Sequence, residues 1–215
     1  MTWLGDHISD VLSLTGQHIY LAGVPLILGL LIALPLGWLA RRYRVLYPFL
    51  IIGTGLLYTI PSLALFIMLP LVLPTRILDP NNVLIAMTIY TVALLVRTVA
   101  DGLGSVPDDV NQSATAMGYK RVRRFTSVEL PLAVPVISAG LRVAAVSNVS
   151  IVSVAALIGV PQLGSLFTDG LARNFLDPIV VGIVACVLLA LLFDVAILGL
   201  TRLATPWQRA DKASA

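Results

Sequence analysis

A chain of 215 residues that is 58% hydrophobic and 12% charged, with a mean hydropathy of +0.96, carries more apolar surface than one water-soluble core of that length encloses, which excludes a soluble globular protein and places the chain in a bilayer. The net charge of +3 does not call for nucleic acid, because membrane proteins gather Lys and Arg in their cytoplasmic loops. A single cysteine, Cys186, excludes an intrachain disulfide, and His7 and His18 have no Cys, His, Asp or Glu partner at ligand spacing, so no metal site is expected.

The opening MTWLGDHISD holds acids and no cation and is expected to stay on the mature chain. A helix needs about 20 apolar residues to cross about 30 Å of hydrocarbon, and the stretches 18–40, 46–73, 82–100, 132–158 and 178–203 qualify. These predict an all-α membrane protein of five transmembrane helices in one domain, 1–215. The second stretch is too long for one perpendicular helix and too short for two. Proline removes a backbone donor and clashes with the preceding turn, so Pro61 is expected to break or kink it near Ile60-Pro61-Ser62. Freed carbonyls are tolerated in lipid only where they face protein or water, which makes Thr59, Pro61 and Ser62 candidates to line a pathway.

Cations set the orientation. Arg41, Arg42 and Arg44 follow the first span, Lys120, Arg121, Arg123 and Arg124 the third, and Arg202, Arg209 and Lys212 the fifth; the other side has only Arg76 and Arg173. An odd number of spans then puts the amino terminus outside and the carboxyl terminus in the cytoplasm.

Between the third and fourth spans, 101–131 reads as two short helices. Ser105, Pro107, Asp108 and Asp109 form a start signal, Val110, Ala114 and Met117 make a narrow apolar stripe, and Gly118 suits a left-handed stop. A second short helix would carry Val122, Phe125 and Val128 opposite the cations and end before Pro131 opens the next span. Such a pair lies on lipid headgroups or enters a groove on a cytoplasmic partner, and the small Ser113, Ala114 and Ala116 favour the groove. A solvated loop whose cations only fix topology is the bland alternative.

Three ionisable groups fall inside the spans. Arg97 pairs with Asp101 one turn away near the cytoplasmic edge. Arg142 and Asp194 lie at similar depth and predict a buried pair locking the fourth span to the fifth. Asn148, with Ser147, Ser150 and Ser153, gives the fourth span a small polar side that serves helix packing or a pathway equally well. Trp38 and Tyr47 read as interface anchors. No phosphate-binding glycine loop and no Ser/His/Asp, Cys/His or paired-carboxylate constellation occurs, so the chain is not expected to be an enzyme. Five helices are too few to enclose a solute path, which implies a second copy or a related subunit.

The string Gln112-Ser113-Ala114, three residues, Gly118, nine residues, Val128-Glu129-Leu130-Pro131 resembles the EAA loop of ABC-importer permeases, the coupling helix that docks on the ATPase subunit. Gln112 and Ser113 depart from the family's Glu and Ala, and Val128 from its Ile. YTIPSLALF (58–66), VELPLAVPVISAGLRVA (128–144) and IGVPQLGSLFTDGL (158–171) are similar to the branch that imports glycine betaine, choline, carnitine and proline, with Pro161-Gln162-Leu163-Gly164 where that branch often has Gly-Gly-Leu-Gly. The resemblance implies a type I importer permease of the methionine-permease kind. It also implies a bacterial plasma-membrane location, ATP and Mg²⁺ consumed by a partner ATPase, a separate extracytoplasmic binding protein and alternating access. Residues 112–114, Met117, Gly118 and 128–131 would be the coupling surface. An ABC permease for another small solute such as an amino acid is the alternative, and an ATP-independent secondary transporter a more distant one.

Overall fold

The computed structural model describes residues 2–76 and 79–207; the cations Arg209 and Lys212 lie outside them. Among these residues the regular elements are helical: α1 (Thr2–Asp6), α2 (Ile8–Arg42), α3 (Leu46–Thr59), α4 (Ser62–Val72), α5 (Pro80–Gly104), α6 (Asp108–Ala116), α7 (Arg121–Arg124), α8 (Leu130–Ser153), α9 (Ser165–Ala172) and α10 (Leu176–Ala204). The all-α class expected from composition is the one observed. Four helical rods are long and apolar enough to cross a membrane, and α3 with α4 forms a fifth, bent span.

The first rod begins at Ile8, well before the expected 18–40. No proline separates Ile8 from His18 and the one glycine, Gly16, is carried within the helix, so the rod runs back through polar sequence, with Val11 buried on its inner face. Its 35 residues make a rod of about 52 Å, longer than the hydrocarbon layer.

At Pro61 the second stretch turns by 103°. Ile60 and Pro61 are extended, with ψ of 129° and 132°, as the steric demand of proline on the preceding residue requires. The carbonyl of Ile60 accepts a hydrogen bond from the Tyr90 hydroxyl of α5, and Tyr58 stacks edge-on to Tyr90 with ring centroids 5.7 Å apart. The break is therefore capped from inside the protomer.

α5 is the central element, packed against α2, α3, α4 and α8. A Cβ on Gly29 would run into the Thr91 side chain and one on Gly37 would lie 2.6 Å from Val99. Glycine at these two positions of α2 lets its backbone approach α5 closely, the usual way helices gain contact where lipid removes the hydrophobic driving force.

A correction concerns the second loop helix. α7 does not end before Pro131: a π-helical turn, Phe125–Glu129, joins it to α8, so the helix is continuous from Arg121 to Ile158. Pro131 has no N–H and its ring crowds the carbonyl four residues back. The wider turn, in which the Leu130 N–H reaches the Phe125 carbonyl, takes up both defects without breaking the rod. The far end tightens into a 3₁₀ turn, Val154–Ile158, stopped by Gly159 at φ +80°.

Candidate functional site

α5 runs to Gly104, so the expected loop shrinks to an elbow of α6, Gly118 and α7 at the arginine-rich end of the rods. α6 closes with a Schellman stop: the Gly118 N–H donates to the Thr115 carbonyl at 3.0 Å and the Tyr119 N–H to Ala114 at 3.1 Å. Gly118 has φ +83° and a Cβ there would touch nothing. Its need for glycine is thus conformational, not steric.

Arg124 fixes the elbow angle. Its Nε donates to Glu129 Oε1 at 2.7 Å and its Nη1 to Thr115 Oγ1 at 2.9 Å, so one guanidinium joins α6, α7 and the π turn. The sequence treats Arg124 only as a topological cation. The five-residue spacing from Arg124 to Glu129, which misses α-helical register and fits a π turn, was the available signal.

The apolar stripe divides on folding. Ala114 is 1% exposed and faces the protein, whereas Met117 is 70% and Val122 72% exposed. Gln112, Ser113 and Ala116 are exposed too, and Val128, Glu129, Leu130 and Pro131 are half-buried at the root. A shared docking face for Ala114 and Met117 is therefore corrected: Ala114 lets α6 sit close to the chain beneath it, and the outward surface is Gln112, Ser113, Ala116, Met117 and Val122.

Arg142 and Asp194 meet as a bidentate pair, Nε to Oδ1 at 2.6 Å and Nη2 to Oδ2 at 2.8 Å, joining α8 to α10. The two side chains are 37% and 26% exposed, so within one protomer the pair is partly open rather than buried. Arg97 and Asp101 lie 3.6 Å apart and are well exposed.

Of the pathway candidates, Thr59 and Pro61 are exposed and Ser62 half-buried at the bend, with the Thr59 hydroxyl donating back to Leu56. Ser150 is exposed and Ser153 half-buried, its hydroxyl donating to the Ser150 carbonyl at 2.6 Å. Asn148 is corrected: it is 1% exposed, and its Nδ2 donates to the Ala22 carbonyl at 3.2 Å and to Thr91 Oγ1 at 3.0 Å. A fully used amide between α2, α5 and α8 is a packing group.

The sequence gives no warning of a second polar hub. His18 is completely buried, with Nε2 3.0 Å from the Val149 carbonyl and Nδ1 3.1 Å from Gln162 Oε1. Gln162 also accepts from the Gly164 N–H and donates to the Ser153 carbonyl at 3.1 Å. The residue that departs from the branch's usual glycine thus ties the loop before α9 to α2 and α8. Among the described residues no group of His, Cys, Asp and Glu is placed to hold a metal.

Residues 26–209 match the family described as binding-protein-dependent transport system inner membrane component. The chain is 34% identical to the osmoprotectant import permease protein OsmW of Salmonella typhimurium over 88% of its own length and 89% of that protein. It is 30% identical to the glycine betaine/carnitine/choline transport system permease protein OpuCD of Bacillus subtilis, over 88% and 82%. A chain of the inward-facing MetNI methionine ABC transporter superposes with a TM-score of 0.85 at 19% identity, covering 93% of this chain and 98% of that one, which shows a shared type I importer permease fold. With the family match over most of its length, the chain is a member of the binding-protein-dependent transport system inner-membrane component family, a multi-pass permease of an ABC importer.

Proposed function

We propose that this permease imports a compatible solute, namely glycine betaine, choline, carnitine or proline, in a complex with a separate ATPase and an extracytoplasmic binding protein, its elbow being the surface on which the ATPase docks. The observation that carries the reading is the rigid elbow: Arg124 clamps α6 to the π turn and leaves Gln112, Ser113 and Met117 facing outward. ATP and Mg²⁺ act in the partner. Closure of two ATPase subunits moves the elbow, and the continuous helix from Arg121 to Ile158 carries that movement across the bilayer, alternating access to a path between this chain and a second permease subunit. Pro61 and its neighbours Thr59 and Ser62, with Ser150 and Ser153, are the residues assigned to that path. The arginine-rich ends lie in the cytoplasm with the carboxyl terminus, and the amino terminus lies outside. The substrate class follows the similarity to OsmW and OpuCD, proteins named for osmoprotectant and for glycine betaine, carnitine and choline transport.

The test is uptake of radiolabelled glycine betaine, choline, carnitine and proline at high osmolarity in cells lacking the chain and in cells complemented with it. Restored uptake of at least one is expected. Uptake that is unchanged for all four, while a nucleotide-hydrolysing subunit still co-purifies, moves the assignment to another small solute. Absence of any such subunit removes the coupling role.

A further inference from the structure

Between the elbow and the end of the first rod lies a cavity of about 210 Å³, whose wall includes Trp38, Arg41 and Arg42 of α2, Asn111 of α6, and Arg121 and Arg124. Its one carboxylate, Glu129, is already taken by Arg124. Arg42 lies over the rings of Trp38 and Tyr43, 5.9 and 5.2 Å from their centroids. Arg41 and Arg121 make no hydrogen bond or ion pair with any described residue. Four guanidinium groups around one committed carboxylate leave a strong positive field in a partly enclosed space. In the same wall Asn111 Oδ1 is buried without a hydrogen-bond partner among the described residues, and a buried polar atom left unmatched is costly enough that native structures usually supply a partner.

We infer that this cavity binds a phosphate group. Guanidinium forks match phosphate oxygens two at a time, so Arg41 from α2 and Arg121 from α7 would grip the anion from opposite sides. Asn111 would accept from a hydroxyl of the same ligand, or donate to it with the amide turned over. Trp38 and Arg41 sit where the rod leaves the membrane, and basic pockets between helices on the cytoplasmic side suit anionic headgroups. The phosphate comes from a phospholipid or from solution. In either case its occupancy ties the first span to the elbow, since its ligands come from α2, α6 and α7. The inference needs the membrane reading but not the docking of an ATPase.

The test uses the full chain in maltoside detergent with Trp3→Phe and Trp207→Phe, leaving Trp38 as the sole tryptophan and its fluorescence as the readout. One arm titrates inorganic phosphate; another titrates dihexanoyl phosphatidylglycerol; a third uses the phosphate-free dihexanoylglycerol. A saturable response in either phosphate arm is expected, weakened about tenfold or more in Arg41→Gln/Arg121→Gln and unchanged in Arg173→Gln. Response to inorganic phosphate supports a soluble source, and response to the phosphatidylglycerol alone supports the headgroup. Silence in both phosphate arms, an equal response to dihexanoylglycerol, or undiminished binding by the double variant overturns the site. Should that variant not fold, Arg41→Lys/Arg121→Lys keeps the charge and loses the forks; unchanged affinity in it overturns the site as well, and weaker binding supports it.

Discussion

Arg142 and Asp194 hold each other by two hydrogen bonds within the membrane, and neither has a second ion-pair partner among the described residues. Removing one charge leaves the other in the span without a counter-ion, whereas removing both leaves neither. Asp194→Asn and Arg142→Gln are therefore each expected to lower the yield of monodisperse protein, and Arg142→Leu/Asp194→Leu to recover more than either single change. Size-exclusion profiles after solubilisation check this, and a double variant worse than both singles contradicts it. The hub at Gln162 behaves differently because it is fully buried. Gln162→Leu strands the Gly164 N–H and one nitrogen of His18, at about 1–3 kcal/mol for each buried group left unmatched. A lower apparent Tm in detergent is expected, with a larger drop than for Ser150→Ala at the exposed neighbouring position. An equal drop in both assigns the hub no special weight.

At the scale of the element, the elbow makes opposite demands at two adjacent positions. Gly118→Val places a β-branched residue at φ +83°, a conformation that costs about 1–2 kcal/mol for an L-residue, and it does so in open space. Protein yield should fall little while ATPase retention on co-purification falls several-fold. Met117→Ser, which changes only the outward surface, should weaken retention without shifting Tm. Retention equal to the parent in both variants rules out the outward face as the docking surface. This element also shows what sequence alone can deliver. The start at Pro107 and the stop at Gly118 were legible because each rests on a local rule about backbone angles. The burial of Ala114 was not, because a stripe of three residues does not say which side of a nine-residue helix meets protein. The continuity through Pro131 was hidden for a related reason: proline signals a helix start, and only the packed rod reveals that a wider turn has absorbed it. Likewise the joining of His18 to Gln162 spans 144 residues, beyond the reach of any periodicity.

For the whole molecule, the proposed orientation in the membrane rests on positive charge gathered at one end of the rods. Single cysteines at Gly5 and at Lys120, in a Cys186→Ser background, are expected to react with an impermeant maleimide from opposite sides of intact cells and inverted vesicles, Gly5 from outside. Labelling of both from the same side contradicts an odd number of crossings between them. The spans themselves were readable because length and hydropathy are additive along the chain. How they assemble depends instead on close approaches such as Gly29 to Thr91 and on Asn148 bridging three helices, features in which each residue is ordinary by itself.

The wide turn at Phe125–Glu129 also decides where the rod tolerates a change of length. A π turn holds one residue more than the α turn it replaces and absorbs it locally, so the helix on either side keeps its phase. Excision of Thr126 would let the rod close into ordinary register with the azimuths of its two ends nearly unchanged, whereas excision of one residue from its α-helical part, such as Ala139, would swing one end by about 100° against the other. In this permease the slack for a one-residue change lies at that turn and not along the rest of the helix.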